Sequence, residues 1–256
     1  NDIVVSSLLG FHAGGILSKT NSLISSFHDV FNSAVVRVAM PAFAQSREHV
    51  EQTRAKYQHA TTLVFSAQWL FFPALAVFAH ELVLILFGRN WLECVLLVQI
   101  GAVSSLMWAP YMLSVPLLTA VGAVRDLLRM QLIWAPLLAL SFLVGAHFGL
   151  VWVVVLSSLT VPVRLYLLDR ALSRHCGIRF KETVLRLVPS IQVSATAVVC
   201  AVLARQMLLA MNAPMAVVLL VGLAVMAVTA LGAARLIRHP LLDELQRVRL
   251  AMAARL

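Results

Sequence analysis

The sequence predicts an all-α polytopic membrane protein, and three observations support this fold class. Hydrophobic residues make up 61% of the 256 residues, whereas charged residues make up only 12%, against about 25% in a typical soluble domain. The mean hydropathy is +0.91. The apolar residues also occur in runs of about twenty, the length that crosses a bilayer as a helix.

The first predicted span covers residues 14–40 and carries several polar residues within an apolar background. At about 1.5 Å per residue it would extend roughly 40 Å, against a hydrocarbon core of roughly 30 Å. Lys19 and Arg37 would therefore lie near opposite membrane surfaces, with Asp29 well inside. Pro41 fits the end of this helix, since proline disfavours a helical conformation at the residue before it.

The polar residues of this span recur at three- and four-residue steps and so share one broad helical face. The candidate pathway residues on it are Lys19, Ser22, Ser25, Asp29, Asn32 and Arg37. A charged side chain at mid-depth in lipid costs at least about 2.5–3.5 kcal/mol, so this face must contact protein or a wet cavity. Two interpretations remain open: the face lines a polar pathway, or its Ser and Asn residues hold neighbouring helices together by hydrogen bonds.

Six further spans are predicted after the first. They cover about residues 58–80, 94–118, 130–146, 150–168, 187–209 and 214–234. Pro110 and Pro116 predict that the third of the seven spans is kinked or partly unwound. The seven spans form a bundle over residues 14–236, after an external lead-in at residues 1–13 that we expect to be a loop or helix end.

The loops between the spans fall into two alternating sets. The first set consists of residues 44–57, 122–129 and 169–186 and a basic, amphipathic tail at residues 237–256, which is expected to lie on the membrane surface. Together with Arg235, which lies just before the tail, this set holds fifteen lysines and arginines, whereas the other set holds three. Because positive charge marks the cytoplasmic side, the C-terminus is predicted inside and residue 1 outside, in the periplasm. Seven spans with an external start imply at least one further span before residue 1.

Some polar residues elsewhere have simple expected positions. Arg164 lies near the end of the fifth span, where its side chain is expected to snorkel to the interface. His80 and Glu81 lie where the second span ends and are expected to be solvated. The tripeptides Trp108-Ala109-Pro110 and Trp134-Ala135-Pro136 are alike, but two tripeptides do not establish a repeat.

A series of short motifs occupies the first part of the chain. It comprises Asp2, Leu9-Gly10, Gly14-Gly15, Met40-Pro41-Ala42-Phe43-Ala44-Gln45-Ser46, Tyr57, Pro73 and Leu86-Phe87-Gly88-x-x-Trp91. This series resembles the polysaccharide and lipopolysaccharide flippases of the multidrug/oligosaccharidyl-lipid/polysaccharide exporter superfamily, over about residues 1–125. The resemblance implies the C-terminal half of a transporter bundle with twelve to fourteen helices in two halves.

The resemblance implies transport without covalent chemistry: an undecaprenyl-diphosphate-linked oligosaccharide is flipped across the bacterial inner membrane for surface polysaccharide biosynthesis. Membrane lipids and the polysaccharide polymerase machinery are the other expected partners, and no nucleic acid, metal or cofactor is expected. Lys19 and Arg37 would contact phosphate or sugar, or else snorkel. The Ser and Asn candidates would form hydrogen bonds with sugar hydroxyls. Asp29 would bind a proton or cation that couples transport to the membrane potential, or would pair with a basic residue of a neighbouring helix.

Three other functions compete with this one. The least specific is a non-transporting membrane scaffold, which would not need a charged stripe at mid-membrane. A membrane glycosyltransferase, polymerase or ligase needs carboxylates or a His/Arg cluster at one membrane face. The predicted external loops are short and carry only Glu81, Arg89 and Glu93 as charged groups, so we expect no enzyme. A multidrug or cation-coupled exporter of the same superfamily would favour a more apolar cavity with acidic residues.

Overall fold

The computed structural model describes residues 2–28, 33–45 and 49–237, and all regular structure in these ranges is helical. Six helical segments within these ranges are long and apolar enough to cross a membrane. They are Val50–Val77, Cys94–Ala120, Val124–Phe148, Leu150–Cys176, Lys181–Ala210 and Met215–Leu236. These segments coincide with the second to seventh predicted spans, which confirms an all-α multi-pass membrane protein.

The region of the first predicted span contains helices α2 (Phe11–Phe27) and α3 (Ser33–Gln45), and residues 29–32 between them lie outside the described residues. The lead-in, expected as a loop or helix end, is instead the helix α1 (Asp2–Leu9). Gly10, with φ of +90°, separates α1 from α2. Helix α1 contacts α2, and its fully buried Val5 belongs to the same hydrophobic cluster as Ile16 and Leu17 of α2.

The second span is the long helix α4 (Val50–Val77), which continues almost directly into α5 (Ala79–Leu86). Pro73 lies inside α4 without ending it. The predicted polar loop at residues 44–57 is therefore wrong over its second half, where the charged residues form the first two turns of α4. The backbone hydrogen bonds of a helix do not require apolar side chains, so a spanning helix can continue beyond its apolar segment into water.

The third span is broken, as its prolines predict. Helix α6 (Cys94–Trp108) leads into a 3-10 turn at Ala109–Tyr111, and α7 (Ser114–Ala120) resumes beyond it. Pro110 lies in the turn, because it lacks the amide hydrogen and its ring clashes with the preceding turn.

Helices α8 (Val124–Phe148), α9 (Leu150–Leu159) and α10 (Val161–Cys176) follow. Gly149, with φ of +111°, makes the tight turn between α8 and α9. Within α8, Gly145 permits close packing: a Cβ at that position would lie 2.6 Å from the Cα of Val153.

Helices α11 (Phe180–Ala210) and α12 (Met215–Ile237) complete the described part. The predicted loops at residues 122–129 and 169–186 are mostly helical, which corrects their boundaries. Only residues 177–179 separate α10 from α11, and Gly177 ends α10 in the left-handed conformation, with φ of +63°. The tail predicted at residues 237–256 lies almost wholly outside the described residues.

Ion pairs at the helix ends agree with the predicted alternation of the loops. Arg54, at the start of α4, pairs with Glu182, at the start of α11. Asp126, at the start of α8, accepts a hydrogen bond from Arg174 at the end of α10, at 3.2 Å. Both contacts join loops of the first set.

The opposite side shows the same agreement. Nη2 of Arg205 in α11 lies 2.8 Å from Oε1 of Glu81 in α5, and Nε2 of His12 lies 3.5 Å from Oε2 of Glu93. Helices α4 and α11 therefore run parallel, with their starts on one side of the bundle and their ends on the other.

Candidate functional site

The predicted pathway residue Lys19 is exposed on α2. Its Nζ lies 5.2 Å from the ring centroid of Phe87 and 5.7 Å from that of Trp91, distances at which a cation is attracted by an aromatic face. Lys19 therefore lies beside the Phe87-Gly88-x-x-Trp91 element, on the side of the bundle that holds Glu93.

The other predicted pathway residues are not brought to one place by the described structure. Ser22 is exposed and Ser25 is half-buried on α2, and Ser25 Oγ donates to the carbonyl oxygen of Ser22 at 3.4 Å. Such a bond occupies the hydroxyl proton within its own helix. Arg37 is exposed on α3. Asp29 and Asn32 lie outside the described residues.

The structure corrects the position of Glu81, which was expected to be solvated. The side chain of Glu81 is 0% exposed, and both Nε and Nη2 of Arg205 lie 2.8 Å from its Oε1. The second carboxylate oxygen, Oε2, is buried without a hydrogen-bond partner among the described residues. Hydropathy along the chain places Glu81 at the end of an apolar run, but the arginine that pairs with it is 124 residues away.

Glu81 and Arg205 belong to a line of polar contacts between α4–α5 and α11, which we call the paired seam. Its members are Arg54 with Glu182, Ser66 with Ser190, the carbonyl of Trp69 with Ser194, and Glu81 with Arg205. The Ser66 and Ser190 hydroxyl oxygens are 2.8 Å apart. In this seam the polar groups of one helix meet those of the other.

The structure also corrects the position of Arg164, which was expected to snorkel from the end of its span. The segment that contains it, Leu150–Cys176, has 27 residues, so Arg164 lies near the middle. The guanidinium carbon is 4.0 Å from the ring centroid of Trp108 and 4.2 Å from that of Trp134. The guanidinium is therefore held against rings of two neighbouring helices rather than extended freely along its own helix.

The two tryptophans also lie near the middle of their own segments, Cys94–Ala120 and Val124–Phe148. Arg164 is therefore held at mid-span by three helices, α6, α8 and α10. The indole nitrogen of Trp134 donates to the hydroxyl of Thr160 at 3.2 Å, which fixes the orientation of that ring.

Further polar contacts continue on both sides of Arg164, and they join the α9–α10 segment to the α6–α7 segment and to α8. We call this line the arginine seam; its members are Ser104 with Ser158, Trp134 with Thr160, Trp108 and Trp134 with Arg164, and Tyr111 with Asp169. The Tyr111 hydroxyl donates to Asp169 at 3.3 Å. Neither Asp169 nor any other acid of the described residues forms an ion pair with Arg164.

The sequence contained a signal for this site. Both tryptophans that contact Arg164 begin a Trp-Ala-Pro tripeptide. The sequence analysis considered the two tripeptides only as a possible repeat and did not relate them to the arginine. Within the described ranges, no group of three His, Cys, Asp or Glu residues is arranged to hold a metal ion.

Residues 1–96 match the family model described as polysaccharide biosynthesis protein. The match contains the motifs from Gly14 to Trp91, and it confirms over this stretch the resemblance drawn from them. It ends before the arginine seam begins. No match was found among curated proteins or among solved structures.

Proposed function

We propose that this chain is part of a transporter that moves a lipid-linked oligosaccharide across the bacterial inner membrane for surface polysaccharide biosynthesis. The observation that carries the proposal is the match of residues 1–96 to a polysaccharide biosynthesis family, in a chain whose described residues include six candidate membrane spans. The match supports a role in polysaccharide biosynthesis or export; the flipping step is our inference.

The physical reason for such a transporter is the cost of polar groups in hydrocarbon. Neither a diphosphate nor several sugars can cross the membrane core without polar partners. A protein that moves them must offer cations and hydrogen-bonding groups at membrane depth while the lipid tail remains in the bilayer. The polar groups of the arginine seam, at mid-span, supply partners of this kind.

We further propose that the loop set with fifteen lysines and arginines faces the cytoplasm, because the positive-inside rule is counted on these residues. The lipid-linked oligosaccharide would then enter from the side of Arg54 and Arg174 and leave on the side of Lys19 and Arg205. The polymerase machinery would receive it there. The mechanism needs no covalent step, so no catalytic residue is assigned.

The proposal is tested by locating the lipid-linked repeat unit in a strain that lacks the gene. Spheroplasts are treated with periodate followed by a membrane-impermeant hydrazide, and the extracted lipid-linked sugar is assayed for label. We expect the sugar lipid to accumulate unlabelled in the deletion strain and to be labelled in the complemented strain.

Other functions give different results in this assay. Loss of a polymerase or ligase would leave a labelled but unpolymerised sugar lipid, and loss of a glycosyltransferase would leave none at full length. Normal surface polysaccharide in the deletion strain would favour the drug exporter. Each of these three results would exclude the flipping step.

A further inference from the structure

We propose that Arg164, held between Trp108 and Trp134, binds the phosphate groups of a lipid diphosphate at mid-span. This inference rests on the proposed function for the identity of the ligand, but its geometric basis is independent of it. It names a binding residue beyond the six that the sequence suggested.

The first argument is the direction in which Arg164 can still bind. The guanidinium carbon lies over the ring of Trp108 at 4.0 Å and over that of Trp134 at 4.2 Å from the centroids, so both contacts use the ring faces and neither uses a guanidinium nitrogen as a hydrogen-bond donor. Its Nε is buried without a hydrogen-bond partner in the described part of the chain, whereas neither terminal nitrogen is enclosed in this way. Only the edge that carries the terminal nitrogens remains for a ligand.

The second argument is charge. Arg54 and Arg205, in the paired seam, each meet a carboxylate. Arg164 meets none among the described residues, although it is half-buried in a segment long and apolar enough to cross a membrane, where an unpaired charge is costly. Aromatic faces attract a cation but carry no compensating net charge. The open edge of Arg164 therefore requires an anion or water to face it.

The third argument is chemical fit. A guanidinium presents parallel N–H donors that match two oxygens of one phosphate, and this bidentate pairing is stronger than contact with a point charge. The tryptophans keep the group from rotating out of position, and Thr160 fixes one of the rings. A phosphate carried to membrane depth by a prenyl tail can reach such a site, and a sugar diphosphate lipid has these properties.

The test is direct binding to the full-length protein in phosphatidylcholine nanodiscs, with radiolabelled farnesyl diphosphate as the probe. Farnesol, which has the same tail without charge, controls for apolar binding. The variants are Arg164→Gln, Arg164→Lys and Trp134→Phe. Arg89→Gln is the matched control, because Arg89 is an exposed arginine in the short 3-10 turn between α5 and α6.

We expect Arg164→Gln to raise the Kd for farnesyl diphosphate at least about tenfold, because all the guanidinium donors are lost. Arg164→Lys keeps the charge but loses the paired donors, so we expect about a threefold to tenfold increase. Trp134→Phe, which loosens the clamp, should raise the Kd by about twofold to fivefold. Arg89→Gln should bind as the parent does, and farnesol binding should be the same in all variants.

Three results would overturn the assignment. The first is an unchanged Kd in the folded Arg164→Lys and Arg164→Gln proteins, and the second is an equal loss of farnesol binding. The third is displacement of the probe by an equal concentration of phosphatidylglycerol, which would make the site one for ordinary anionic lipids. Should Arg164→Gln fail to insert, Arg164→Lys and Trp134→Phe carry the test alone.

The two proposals fail separately. If the deletion strain exports polysaccharide normally while diphosphate binding depends on Arg164, the flipping function is wrong and the binding site stands. If the deletion strain accumulates unlabelled sugar lipid while Arg164→Gln complements it fully and binds the probe normally, the function stands and the site is wrong.

Discussion

The paired seam and the arginine seam treat arginine in opposite ways. In the paired seam, two nitrogens of Arg205 reach one oxygen of Glu81, whose side chain is fully buried. In the arginine seam, Arg164 lies between two indole rings, and no acid of the described residues pairs with it. The paired seam joins α4–α5 to the parallel helix α11, and the arginine seam joins α6–α7 to the parallel segment α9–α10 with α8 beside them. The difference therefore lies in what faces the guanidinium.

This difference separates charges that hold the bundle together from a charge that remains able to bind. An ion pair uses the hydrogen-bond donors of the arginine, and removal of either partner leaves a charge uncompensated. Stacking on aromatic faces leaves the in-plane donors unused. We therefore expect changes in the paired seam to affect stability, and changes in the arginine seam to affect ligand binding.

The largest loss of stability is expected for Glu81→Ala. Breaking a buried ion pair by removing one partner costs about 3–5 kcal/mol. The arginine side chain is 26% exposed, which lets it reach solvent in part and favours the lower end, about 3 kcal/mol. The measurement is unfolding in mixed micelles by titration with dodecyl sulfate, followed by circular dichroism.

Two further variants test whether the uncompensated charge is the cause. In Glu81→Met with Arg205→Met, the pair is replaced by apolar groups and most of the lost stability should return. Glu93→Ala is the control, because its partner His12 and Glu93 itself are 75% and 71% exposed, and it should change nothing measurable. A double variant no more stable than Glu81→Ala would contradict the explanation.

The next effect tests how α8, which carries Trp134, is positioned. Gly145→Ala would put a Cβ 2.6 Å from the Cα of Val153 in α9, and backbone cannot rotate away as a side chain can. We expect a loss of about 1–3 kcal/mol, as for other overpacked contacts. Gly232→Ala is the control in another spanning helix, since no described atom beyond its chain neighbours and the nearby backbone of its own helix lies within 4 Å of its added methyl. Equal losses in the two variants would contradict close packing at Gly145.

A smaller effect on stability is expected for Arg164→Gln. The variant loses two cation–π contacts, worth about 0.5–2 kcal/mol each, but it also removes a charge from mid-span, which is favourable. These opposite contributions should leave the free energy of unfolding within about 1 kcal/mol of the parent. The same titration measures it, and a loss as large as that of Glu81→Ala would show that Arg164 is a structural tie.

The sequence predicted the spanning helices and the broken third span because a bilayer imposes hydrophobic runs and because Pro110 removes a backbone donor. It misplaced the helix ends at Val50, Val124 and Cys176, since charged turns outside the hydrocarbon core carry no hydropathy signal. Boundaries of this kind depend on helix capping and packing rather than on the membrane.

The polar partners could not be predicted in the same way. Glu81 and Arg164 each depend on residues in other helices, and neither hydropathy nor periodicity reports contacts over such separations.

The pathway assigned to the first span remains a prediction, with Lys19 beside an aromatic pair and Asp29 outside the described residues. Replacement of Lys19, Asp29 or Arg37 in the full-length protein should lower the amount of surface polysaccharide, whereas the protein should still insert into the membrane.

The smallest effect concerns the middle of the paired seam, where Ser66 and Ser190 join α4 to α11 with their oxygens 2.8 Å apart. Hydrogen bonds between membrane helices average about 0.6 kcal/mol in double-mutant cycles, because the separated helices also find polar partners. A cycle of Ser66→Ala and Ser190→Ala should give a coupling energy of that size. The matched cycle pairs Ser66→Ala with Thr196→Ala, since Thr196 is exposed on α11 and donates to its own helix at Val193. The second cycle should give no coupling energy. Equal coupling energies in the two cycles would mean that the serines contribute only within their own helices. The ion pairs at the two ends would then hold the seam.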